Sequence, residues 1–111
     1  MLKRMIRFFA LLLLVSLPCI PESETRSVAG IVTDGRGNGL GGAEVRLEDS
    51  VTLSIRSYVT SDDGAYHFSR VYSFIDYTLK ARYKGRWSKP KTVSQFNSTE
   101  HVKVDLVIPT Q

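Results

Sequence analysis

From residue 27 onward the chain alternates apolar and polar residues with a period of two, which specifies strands and excludes amphipathic helices. The cleanest stretch is YTLKARY at 77–83, where Tyr77, Leu79, Ala81 and Tyr83 share one face. Thr78, Lys80 and Arg82 share the other. The same phase places Val28, Gly30 and Val32 together at 28–33, and Val45 with Leu47 at 43–48. It predicts Leu53, Ile55 and Val59 inward at 52–60, and Tyr66 with Phe68 on one side at 66–69. A short strand follows at 92–96. The last strand, 101–108, turns Val102, Val104, Leu106 and Ile108 to the core.

Turn chemistry separates these runs. Gly35, Gly37, Gly39, Gly41 and Gly42 crowd the segment after Asp34, and each would cost about 1 kcal/mol inside a helix. SDDG at 61–64 and KG at 84–85 are tight-turn signals. Seven strands with turns at roughly 8–12-residue spacing predict an all-β chain, a seven-stranded antiparallel β-sandwich. Two facing sheets let every strand bury one side, as the alternation demands.

The N-terminus has another character. Lys3, Arg4 and Arg7 precede the apolar run FFALLLLVSL at 8–17, followed by Pro18, Cys19, Pro21 and a polar exit. This is the layout of a secretory signal peptide, expected over residues 1–23 with the domain at 24–111. The apolar run falls short of the roughly 20 residues that a membrane span needs. The expected location is therefore secreted or periplasmic. Without residues 1–20, 12 basic residues face 11 acidic ones, and the net charge of +4 drops to +1. The apparent basicity thus gives no ground for nucleic-acid binding.

Cys19 is the single cysteine, so the domain has no internal disulfide and no cysteine-ligated metal. A lipidated Cys19 would tether the chain to a membrane as a surface adaptor. Ser16 and Pro18 fit a lipoprotein signal poorly, and a plain signal peptide is the expectation.

Several of these segments together resemble a known family. GIVTD at 30–34, GAEVRL at 42–47, TSDDGAYHF at 60–68 and YTLKA at 77–81 are similar to the signature runs of carboxypeptidase regulatory-like domains. The resemblance covers residues 27–108 and implies a transthyretin-like (prealbumin-like) sandwich. It departs in the loops, where Gly41 stands near the usual proline and FID at 74–76 replaces a Pro-Gly. Domains of this type are appended to larger proteins as folding, spacing or interaction units. The resemblance therefore implies a non-catalytic binding, structural or accessory module. Its alternative is a small-ligand carrier of transthyretin type, for which the charged outward positions Lys80, Arg82, Lys103 and Asp105 are unsuited. The protein or carbohydrate partner and the oligomeric state stay open.

If successive strands reverse, the loops 34–42, 61–64 and 84–91 meet at one end. That end would gather Arg36, Asp62, Asp63, Arg86, Trp87 and Lys89 as a candidate binding surface. The other end would gather Tyr72, Phe74 and Asn97. Asp34, Asp62 and Asp63 are calcium-type ligands, but the Asp-Gly pair is what a hairpin turn requires, and no metal or cofactor is expected. Trp87 is expected to cap the open end of the core with its indole nitrogen at the surface, the alternative being an exposed binding platform for sugar or peptide. The segment 77–99 contains no acid but carries Lys80, Arg82, Lys84, Arg86, Lys89 and Lys91, a run suited to an anionic polymer or lipid surface, although alternation already explains Lys80 and Arg82 as a solvated face.

His67 and His101 fall on outward positions, unsuited to a shielded catalytic pair. The hydroxyisourate hydrolases of the same fold end in Tyr-Arg-Gly-Ser, whereas this chain ends IPTQ. No catalytic motif is present, and the chain is not expected to be an enzyme. Asn97-Ser98-Thr99 forms a glycosylation sequon in a loop.

Overall fold

Alternation along residues 77–83 becomes the central strand of one of two sheets. The computed structural model describes residues 24–109. The expected signal peptide and Cys19 lie outside the described residues. Nine strands follow one another: β1 (Thr25–Asp34), β2 (Glu44–Asp49), β3 (Ile55–Val59), β4 (Ala65–Tyr72), β5 (Tyr77–Tyr83), β6 (Arg86–Trp87), β7 (Lys91–Val93), β8 (His101–Lys103) and β9 (Leu106–Ile108). One sheet has the order β4-β1-β8, with β9 also on β1. The other has the order β3-β2-β5-β6, with β7 also on β5.

The nine strands fill seven positions, because two edge positions are interrupted. β8 lies beside residues 27–29 of β1 and β9 beside residues 32–34, on the same edge. β6 and β7 likewise share the outer edge of β5. A side chain fills each gap in the ladder. Asp105 Oδ1 accepts from the Ile31 N–H at 3.1 Å. Ser88 Oγ accepts from the Ala81 N–H at 2.9 Å, while the Ser88 N–H donates to the Ala81 carbonyl. Backbone groups that lose a ladder partner are thus satisfied locally.

Gly30 explains the first interruption. A Cβ built there would collide with the Val104 carbonyl oxygen and touch the Tyr66 ring. Only glycine lets the chain pass so close. The same carbonyl accepts the Tyr66 hydroxyl at 2.5 Å.

The antiparallel expectation fails at one edge. β8 and β9 run parallel to β1. β4 already holds one edge of β1 as an antiparallel partner. The chain reaches the free edge only after crossing to the second sheet, and it re-enters at the Thr25 end, where the Ser27 N–H donates to the Glu100 carbonyl. A crossover of this kind yields a parallel pair.

Between the sheets lie Val28, Val32, Val45, Leu47, Tyr66, Phe68, Val71, Tyr77, Leu79, Ala81, Val93, Val102, Leu106 and Ile108, all buried. Burying each Leu or Val contributes about 1.5–3 kcal/mol. Ala43 packs at the same core below Gly42, whose φ of +80° turns the chain into β2. Thr60 locks this turn: its hydroxyl accepts from the Ala43 N–H and donates to the Leu40 carbonyl.

β3 departs from the expected phase. Leu53, Ile55 and Val59 point outward, 65%, 50% and 66% exposed. The register sets Tyr58 opposite Val45 and Arg56 opposite Leu47, so Tyr58 and Arg56 take the inner side. Tyr58 meets Phe68 edge-on, and Arg56 lies over the same ring while donating to the Ser69 carbonyl. At a sheet edge, long amphipathic side chains cover the core while their polar tips stay wet.

Candidate functional site

Two loops of the expected surface do meet. The backbone of Asp63 lies against Gly39 and that of Asp62 against Gly41, so the 34–42 and 61–64 turns are stacked. Arg86 joins them through a hollow of about 210 Å³ that it lines with Asp34, Leu40, Tyr83 and Pro109. Its Nη1 donates to the Pro109 carbonyl at 3.3 Å. Arg36 is exposed at the loop tip.

The carboxylates of this end serve their own turns. Asp34 Oδ1 accepts from the N–H groups of Asn38 and Arg36, which hold its pKa below the usual carboxylate range. Asp63 Oδ1 accepts from the Ser61 hydroxyl and the Ala65 N–H, with the same effect. The described residues include no group of three or more His, Cys, Asp or Glu side chains arranged to hold a metal ion.

Trp87 does not cap the core but lies on the outer face of the second sheet, in the row beside that end. Lys84 (φ +49°) and Gly85 (φ +77°) form a two-residue turn that folds β6 back on β5. This register sets Trp87 opposite the outward-facing Arg82, so the indole lies on the solvent face of the second sheet, 37% exposed. Three cations converge on it. Lys80 Nζ lies 4.6 Å from the ring centroid, and the guanidinium carbons of Arg46 and Arg82 lie at 5.0 and 5.4 Å. Glu44 holds the Arg46 Nε at 2.7 Å. Lys89 sits beyond the indole with Lys91, Val107 and Pro109.

The opposite end of the sandwich is organised by a residue that the sequence reading passed over. Arg26 is buried, and its Nη1 donates to the carbonyls of Ser94 and Asn97 at 2.7 and 2.9 Å. Nη2 donates to the Ile75 carbonyl at 3.2 Å. Burial lowers the guanidinium's pKa, and Tyr77 and Asp76 oppose that shift. The signal was available, because residues 26, 28, 30 and 32 share one face of β1. Tyr72 and Phe74 are exposed and stack on each other beside this clasp. The sequon residue Asn97 is exposed, and its Oδ1 accepts from the Thr99 N–H. His67 and His101 are both exposed, and His101 Nδ1 is 2.7 Å from the Ser27 hydroxyl.

Solved structures share this fold at low identity. The major pilin subunit of Bacillus cereus superposes with a TM-score of 0.58 at 17% identity, over 78% of this chain and 30% of its own. A DUF3823 family protein from Parabacteroides merdae gives 0.58 at 19%, over 78% of this chain and 46% of its own. Chlorocatechol 1,2-dioxygenase from Pseudomonas putida gives 0.58 at 12%, over 84% of this chain and 63% of its own. The chain spans from under a third to under two thirds of the length of these three structures. A pilin and an oxygenase on one scaffold establish the fold and leave the role to the site. No curated protein matches the sequence. The family model for the carboxypeptidase regulatory-like domain matches residues 27–108, all of the sandwich but the first two residues of β1, and the chain belongs to that family.

Proposed function

We propose that this protein is an exported, non-catalytic interaction module that takes up an extended strand of a partner protein along β3. The observation that carries the reading is the contrast among the sheet edges. The β8/β9 edge is broken at residues 104–105. The β6/β7 edge is broken at residues 88–90 and carries Lys89, Pro90 and Lys91. β4 is kinked at Arg70, whose φ is +55°. Breaks, lysines and bulges protect an edge, and β3 has none of these three over five exposed residues, its one charge being the inward Arg56.

Its free edge also has a defined polarity. The Thr60 N–H donates to the Ala43 carbonyl and the Asp49 N–H to the Ser54 carbonyl, bracketing the β2–β3 ladder. Alternation then points the backbone groups of Arg56 and Tyr58 at β2, and those of Ile55, Ser57 and Val59 away from it. An added strand gains those bonds, and its outward side chains lie beside Ile55 and Val59. The basic, apolar leader supports export.

A photo-crosslinking residue at position 57, in the cells that make the protein, tests the edge. A discrete heterologous adduct at position 57 that is absent from position 67 on β4 supports the reading. The same adduct should form from position 59 and disappear there when Ser57→Pro removes an outward N–H from the edge. An adduct of twice the protein's mass, or none, overturns the reading. Intact mass of the fractionated protein tests export, which retention of residues 1–23 would refute.

A further inference from the structure

We propose that the solvent face around Trp87 is a binding site for a linear acidic polysaccharide, a chain of uronic-acid type. This surface adjoins the free edge of β3 and shares Ile55 with it. Its outward residues form rows across the sheet: Val59, Glu44, Arg82 and Trp87 in one, Ser57, Arg46 and Lys80 in the next.

Folding rewards this arrangement only in part, through the contacts to the Trp87 ring and the Glu44–Arg82 cross-strand pair. Arg46 and Lys80 are direct cross-strand neighbours, and like charges in that position destabilise a sheet. Arg82 adds a third positive charge at the same ring. Glu44 is engaged with Arg46, and Glu48 lines a hollow beside the indole, between Ile55 and Thr78. The indole gathers the three cations by attraction to its face. Together they present concentrated positive charge on an otherwise nearly neutral domain.

The shape supplies the rest. Hollows of about 330 and 360 Å³ flank the indole on either side. The first is lined by Ile55, Thr78, Lys80 and Pro90 among others, and the second by Val107, Pro109, Lys89 and Lys91. Both linings combine apolar residues with cations, Arg46 and Lys80 beside a single carboxylate, Glu48, in the first and Lys89 with Lys91 in the second. A pyranose ring carrying a carboxylate has the matching features: a C–H face for the apolar residues and an anion for the cations. Two such hollows joined by one tryptophan suit consecutive sugars of a chain. Single-stranded nucleic acid fits less well, because it relies on several aromatic platforms and this face has one.

Trp87 is the only tryptophan, so its emission reports this site alone. The probes are a galacturonic acid trimer and the neutral galactose trimer. The acidic trimer should change Trp87 emission saturably, at least tenfold more tightly than the neutral one, and should weaken as salt rises. Lys80→Glu should reduce its affinity at least tenfold. That variant replaces a like-charge pair with an opposite one, so its melting temperature should not fall. Trp87→Ala, followed by calorimetry, should lose binding while keeping its circular dichroism. Equal affinity for both trimers, or an unchanged Lys80→Glu, overturns the proposal. Tighter binding of an oligothymidylate or of phosphatidylglycerol vesicles than of the acidic trimer overturns the carbohydrate assignment.

Discussion

Arg26 Nη1 donates to the Ser94 carbonyl at 2.7 Å, joining β1 of one sheet to the segment after β7 of the other. The same guanidinium reaches the carbonyls of Asn97 and Ile75, so one side chain holds two loops against the end of the sandwich. Small exported domains often use disulfides for such ties. Here the described residues contain no cysteine, and a buried cation bonded to backbone carbonyls spans the sheets instead.

Replacing Arg26 should therefore cost more than an ordinary surface substitution. Arg26→Ala leaves three carbonyls without their charged donor, and each such bond contributes about 1.5–3 kcal/mol. We expect a loss of about 3 kcal/mol or more in urea-induced unfolding. Arg26→Lys should recover only part of it, because an ammonium cannot fork to all three acceptors. Equal stability of the alanine variant and the parent would refute the tie.

Glycines should divide by what surrounds them. Gly30→Ala drives a methyl into the Val104 carbonyl, so it should separate β8 and β9 from β1 and cost several kcal/mol. Gly85→Ala meets nothing within 4 Å, and its penalty comes from φ alone, about 1 kcal/mol. Thermal melts of the two variants side by side provide the check.

These residues also mark how far the sequence could be read. Alternation in β2 and β5 was legible because both faces of those central strands have fixed surroundings, and their buried apolar residues are Val45, Leu47, Tyr77, Leu79 and Ala81. β3 inverted because an edge strand has no second neighbour, so Tyr58 and Arg56 could outcompete Ile55 for the inner side. Trp87 was recoverable by counting two residues across the Lys84-Gly85 turn from outward-facing Arg82. The break at Val104 and the parallel sense of β8 and β9 were not. The first depends on Gly30 meeting a residue 74 positions away and the second on a crossover between the sheets, and no local pattern encodes either.

Acid should destabilise the protein through its turn carboxylates. Asp49 accepts from the N–H groups of Thr52 and Val51, and its pKa lies below the ordinary range, as do those of Asp34 and Asp63. A carboxyl with a depressed folded pKa stabilises the fold fully above its unfolded value, about 3.9, and loses that contribution as pH falls through the folded value. Melting temperature should hold steady from about pH 7 to pH 5 and drop below about pH 4. Asp49→Asn should lower the plateau and flatten the acid limb, measured by thermal melts across that range.

Tyr66 should set the alkaline limit. Burial raises its pKa, with Asp105 adding to the shift, and its hydroxyl donates to the Val104 carbonyl. Burial raises Tyr77 as well. A phenol with a raised folded pKa stabilises the fold fully below its unfolded value, about 10, and loses that contribution as pH rises toward the folded value. In an alkaline titration followed by phenolate absorbance, Tyr66 and Tyr77 should therefore ionise only above the ordinary tyrosine range, together with unfolding. Tyr66→Phe keeps the ring against Phe68 but removes the donor, at a cost of about 1 kcal/mol at neutral pH. Because phenylalanine does not ionise, the deficit should shrink as pH rises above about 10. A deficit that stayed constant across the alkaline range would show that the hydroxyl proton plays no part in holding β9 to β1.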